Sequence, residues 1–210
     1  FLAIVFMLFS IAGFSQSEKL SMDALIKNNL ALAKDQYALL ESRLPADRMP
    51  KSYNMQTEKL ETSDTKWWCS GFYPGTLWYI HEYTKDAGTR KAAEARLAIL
   101  EKEKHFKGNH DLGFMMYCSF GNAYRITGNP SYKTAIDTAA MSLATRFRPS
   151  IQSIQSWDSS KNFRCAVIVD NMMNLELLTW VSNNGGDPKF REIATTHANT
   201  TIQRHFRPDN

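Results

Sequence analysis

Two aspartates stand where an irregular stretch gives way to an apolar run: Asp111 in His110-Asp111-Leu112-Gly113-Phe114, and Asp170 in Val169-Asp170-Asn171-Met172-Met173-Asn174. Two carboxylates converging on one cavity are what a hydrolase uses for acid–base work, one moving a proton while the other holds a charge. A carboxylate beside an apolar wall and a second carboxylate is expected to titrate above its ordinary range, as a general acid at neutral pH requires. The plainer reading of each is a helix cap, because free N–H groups and the macrodipole favour Asp at helix N-termini. Trp68 and Trp157 lie in loops that lead to apolar helices, where an indole face could stack on a sugar ring or cover the rim of the core. Arg164 could pair with a substrate carboxylate or serve only the surface.

Other chemistries find little support. His81, His105, His197 and His205 follow no metal-ligand spacing, and neither an HExxH pair, a Gly-rich phosphate loop nor a GxSxG elbow is present, so no metal or other cofactor is expected. Cys69, Cys118 and Cys165 form no CxxC pattern; in an oxidising compartment one disulfide is open to them, but their places beside or on the apolar helices favour buried free thiols. The net charge of +4 is spread along the chain with no Lys/Arg block, which argues against a nucleic-acid partner. With 43% hydrophobic residues, the 210-residue chain can form a sizeable core. Met115-Met116 and Met172-Met173 read as filling for that core.

The elements that must position the aspartates are helices. The spacing predicts a first helix over Met22–Leu44, capped by Ser21 and stopped by Pro45, then a polar loop over 46–66. Further helices are expected from Tyr73-Pro74 to Thr84, from Thr89 to Lys104, from Asp111 to Arg125, from Asn129-Pro130 to Arg146, over Val167–Asn183, and from Asp187-Pro188 onward. No convincing strand alternation is present. Trp68-Cys69-Ser70-Gly71-Phe72 superposes on His110-Asp111-Leu112-Gly113-Phe114, and Asn129-Pro130 with Phe147-Arg148-Pro149 resembles Asp187-Pro188 with Phe206-Arg207-Pro208. An apolar helix thus alternates with a charged amphipathic one, the pattern of an inner and an outer ring in an all-α, (α/α) toroid. A closed toroid needs about a dozen helices, so these seven are expected to be the N-terminal part of a longer protein, inactive in isolation.

Residues 1–16 are apolar and uncharged, with Gly13 and Ser15 placed like the small residues of a cleavage site. They read as the remnant of a secretory signal, so residues 17–210 are expected to be exported to a periplasmic or extracellular space, free of the membrane after cleavage.

Trp68-x-x-Gly71-Phe72-x-x-Gly75, His110-Asp111-Leu112-Gly113-Phe114, Ser156-Trp157-Asp158 and Val169-Asp170-Asn171-Met172-Met173-Asn174 together resemble the unsaturated glucuronyl hydrolases of glycoside hydrolase family 88, from about residue 60 onward. The resemblance implies a six-hairpin toroid. It also implies removal of the unsaturated uronic acid that polysaccharide lyases leave at the non-reducing end of glycosaminoglycan fragments. By motif, Asp170 is the general acid and base, Asp111 the second essential carboxylate, and Trp68, His110 and Trp157 line the sugar subsite. An unsaturated rhamnogalacturonyl hydrolase acting on pectin fragments is the nearest alternative. A non-catalytic helical-repeat binding protein is the alternative from another class, although its usual 34-residue period differs from the offset of 42 seen here.

Overall fold

The computed structural model describes residues 21–207 and 209. The apolar start read as a signal remnant lies outside the described residues. Seven α-helices account for most of the rest: α1 (Met22–Arg43), α2 (Phe72–Thr84), α3 (Ala87–Leu100), α4 (Asn122–Thr127), α5 (Pro130–Ala144), α6 (Asn171–Asn183) and α7 (Lys189–His205). The capping chemistry follows the sequence. Ser21 accepts the Ala24 N–H, and Asn129 accepts that of Ser131 ahead of Pro130 in the first turn of α5. At the start of α3 the cap is Asp86, which accepts from the N–H of Thr89, the residue where the helix is expected to begin.

Three departures from the sequence reading have physical causes. The stretch expected to be a loop holds an antiparallel hairpin of β1 (Met49–Asn54) and β2 (Lys59–Ser63). Its strands are polar on an exposed face, and Pro50 sits beside a register shift, where a missing N–H does no harm. The fourth helix opens as a π-helix over Gly113–Gly121 before continuing as α4. The sixth begins at Asn171 rather than near Val167, because Ser156 holds the preceding strand extended: its N–H donates to Ala166 O and its Oγ accepts from Ile168 N–H.

The two helix classes sort as the repeats predict. The π-helix packs against α2, α5 and α6, while α3 backs α2 and α7 backs α6. Trp78 and Leu77 of α2, Met115 and Met116 of the π-helix, and Leu177 and Leu178 of α6 are buried. Met173 is the exception to its expected core role, standing 63% exposed. The thiols of Cys69, Cys118 and Cys165 are free as expected, but half-buried rather than enclosed. Among the described residues no helix is long and apolar enough to cross a membrane.

Glycines at the matched repeat positions explain how the inner helices come so close. A Cβ on Gly71 would fall onto the carbonyl oxygens of Phe114 and Met115, and one on Gly75 onto that of Cys118. A Cβ on Gly113 would lie 2.7 Å from the Cα and Oδ1 of Asn174 in α6. Each repeat therefore seats its glycine on the backbone of the next inner helix. Gly128, by contrast, ends α4 at φ +67° with open space around it. Gly71→Ala should lower unfolding stability by about 3 kcal/mol, the upper end of the overpacking range, since backbone rather than a movable side chain must give way. Gly128→Ala should cost only about 1 kcal/mol, for its left-handed backbone; urea unfolding of the two variants checks the order.

Candidate active site

The chain leaves the short 3-10 helix Glu101–His105 in an extended segment that meets the stretch following the short antiparallel pair β3 (Phe147–Arg148) and β4 (Ser153–Ile154). Asn109 bridges to Trp157, and the His110 N–H donates to the Ser156 carbonyl at 2.9 Å. That strand is fixed in turn. Ile154 donates its N–H to His197 Nδ1 at 3.0 Å, and its carbonyl accepts from Asn171 Nδ2 at 2.7 Å. Burial, reinforced by His205 and His110, pulls the His197 pKa down to about 4, which keeps it the neutral acceptor this bond requires.

On this frame the two aspartates meet. His110 is buried, and its Nδ1 lies 2.9 Å from the Ser156 carbonyl, which can only accept, so Nδ1 carries a proton. Its Nε2 then faces Asp170 Oδ1 at 3.2 Å and Asp111 Oδ1 at 3.4 Å. A neutral ring would oppose a lone pair to two carboxylate oxygens, so the arrangement calls for one further positive charge, such as a proton, among the three groups. The same three atoms, all within 4.8 Å of one another, could also touch one small cation.

Neither carboxylate caps its helix: the π-helix and α6 both start without a side-chain cap bond. The π-helix is instead fixed by Asn174, whose Oδ1 accepts the Phe114 N–H at 3.0 Å. Asn174 lies one turn beyond Asp170, so a single contact sets the spacing between the two acidic segments. The acids are placed unequally. The Asp111 side chain is 13% exposed and that of Asp170 is 44% exposed. Burial pushes the Asp111 carboxyl above its ordinary value, and the charge of Asp170 pushes the same way against the pull of His110 and Arg146.

The aromatic residues flank this group. The Trp157 ring stands 6.3 Å from that of His110, and Trp68 packs on Phe72 and on Phe114, three residues past Asp111. Both indoles are exposed, as a sugar platform requires. Arg164 stands apart: its carbonyl accepts from Ser159 Oγ, and no hydrogen bond or ion pair joins its guanidinium to the aspartates among the described residues. Ser156, Asn171 and Asn174 were missed as working residues, although buried asparagines at the start of an apolar helix are a readable signal.

No protein-family model matches the chain. It is similar to an unsaturated glucuronyl hydrolase of Formosa agariphila, with 40% identity over 184 residues that cover 83% of this chain and 46% of that protein. It is also similar to an unsaturated chondroitin disaccharide hydrolase of Streptococcus pneumoniae, with 31% identity over 150 residues, 70% of this chain and 38% of the other. Among solved structures, an unsaturated glucuronyl hydrolase specific for heparin superposes with a TM-score of 0.83 and 36% identity, over 89% of this chain and 50% of that one. This chain spans less than half the length of those two curated relatives. The superposition bears out the (α/α) toroid, to which the described residues contribute seven α-helices.

A carboxyl raised in the folded state penalises the fold when ionised. That penalty is present above the folded pKa and disappears as pH falls below the ordinary 3.8. Asp111→Asn should therefore be more stable than the parent at pH 7, with the difference closing towards pH 3. Urea midpoints measured across that range check the sign.

Proposed function

This chain belongs to the unsaturated glucuronyl hydrolase family, and we propose that the protein hydrolyses the unsaturated uronide at the non-reducing end of lyase-generated glycosaminoglycan fragments. The observation that carries the reading is the meeting of Asp111 and Asp170 on one buried imidazole, with exposed indoles on either side. The names of the relatives, which include glucuronyl, chondroitin-disaccharide and heparin-specific hydrolases, support the same substrate class.

The substrate is an enol ether, its C4=C5 double bond conjugated with the carboxylate and C5 bonded to the ring oxygen. Protonation at C4 leaves an oxocarbenium-like centre at C5. Water adds there and loses a proton, and the hemiketal opens to release the remaining sugar. Asp170 is the better placed of the two acids to reach C4, because its side chain is the more exposed. It takes up the proton that the cluster already holds, delivers it, and then accepts one from the attacking water. Asp111, enclosed and facing the same imidazole, supplies a fixed charge beside it. Trp68 and Trp157 bracket the sugar, and His110 presents Asp170 to it. Since the anomeric carbon is not attacked directly, the carboxylate-spacing rule for ordinary glycosidases does not apply.

In the full-length protein, Asp170→Asn should lower turnover of unsaturated chondroitin- and heparin-derived disaccharides at least about a hundredfold while leaving the unfolding midpoint near the parent's. Loss of enol-ether absorbance is the readout. Undiminished turnover ends the assignment, and preferential turnover of pectin-derived disaccharides by the parent moves it to the rhamnogalacturonyl class.

A further inference from the structure

Arg146 follows α5 and has a side chain only 3% exposed. Its Nε donates to the Gln155 carbonyl at 2.7 Å, while Nη1 donates to the Lys107 carbonyl and to Asp158 Oδ1, the latter at 3.2 Å. Its own carbonyl accepts the Gln155 N–H at 2.9 Å. These acceptors belong to two separate stretches. Lys107 lies three residues before His110, and Gln155 and Asp158 flank Ser156 and Trp157. The Ser156 carbonyl is in turn the acceptor for both the main-chain N–H and the ring Nδ1–H of His110. Both sides of the bridge that aims the imidazole at the two aspartates are thus tied to one guanidinium.

We infer that Arg146 is a positioning residue, a planar fork that fixes the His110 segment against the Ser156–Trp157 strand and so sets where the carboxylates meet. The fork geometry is the reason for arginine. Guanidinium donors point in fixed directions towards two backbone carbonyls at once, whereas a lysine offers a mobile point charge. The Gln155 carbonyl in particular is buried and cannot be left bare at low cost. Arg146 also acts on the site at longer range, drawing the Asp111 carboxyl downward against its burial. The inference rests on the hydrolase reading above only for its catalytic consequence, and the test separates the two.

Arg96 of α3 is the control. It is also buried and donates to Glu41 and to the carbonyls of Pro45 and Arg48, remote from the aspartates in its contacts. In the full-length protein, Arg146→Lys should lower kcat on unsaturated disaccharides at least about tenfold, while Arg96→Lys lowers the unfolding midpoint but leaves kcat within about twofold of the parent. In 15N-histidine-labelled protein, with the signal assigned by its loss in His110→Gln, the protected His110 Nδ1–H should exchange freely once Arg146 is lysine. A kcat for Arg146→Lys above half the parent's, or an Nδ1–H that stays protected, overturns the inference. If the parent itself turns over no unsaturated disaccharide, the hydrolase reading fails and the proton-exchange measurement alone decides the role of Arg146. Should Arg146→Lys not fold, Asp158→Asn at the exposed end of the tie should reduce kcat/KM about threefold; an unchanged value counts against it.

Discussion

A neutral imidazole has a single N–H, and in His110 the Ser156 carbonyl claims it. Everything else about the site follows from that commitment. With Nδ1 spent, Nε2 faces two acidic oxygens, an approach that calls for a positive charge, such as a shared proton, among them. The ring therefore organises charge as well as position. It offsets part of the burial that pushes the Asp111 carboxyl up, and it brings the more exposed Asp170 alongside. Because its acceptor is backbone, the tautomer is set by strand register, and the strand is held by His197, Asn171 and Arg146 rather than by the acids themselves.

The second requirement is close backbone approach. The acids sit on different inner elements, one ahead of the π-helix and one ahead of α6, and cannot share an imidazole unless those elements nearly touch. Gly113 admits Asn174, and Asn174 repays the contact by accepting the Phe114 N–H. Gly71 does the corresponding thing one step earlier, against Phe114 and Met115. A ring of helices with larger residues at these points could keep its core, yet its acids would stand apart.

Much of this was legible from the residue order. The offset between Gly71 and Gly113 marked the repeat, the proline and asparagine signals placed α5, and the alternation of apolar and charged helices separated inner from outer. Other features were hidden for physical reasons. An apolar run reads the same whether its turns hold 3.6 residues or more, so the π-helix over Gly113–Gly121 left no periodic trace. The hairpin of β1 and β2 is too polar and too exposed to alternate. Whether Asp111 and Asp170 cap helices depends on where their oxygens point, which residue type does not reveal. Arg146 was invisible because its principal partners are carbonyls, and every residue has one.

The π-helix has a consequence for when the site comes into being. Such helices are rare and mostly confined to a single turn, so a nine-residue one keeps its shape only while neighbours press on it. One of those neighbours is Asn174, sixty residues downstream of the N–H it accepts. During synthesis, a nascent chain that has just released the π-helix from the ribosome has α2 to pack against, but not yet Asn174 or Asp170. The acidic pocket can form only after α6 has emerged, in a single late step that joins distant stretches of the polypeptide.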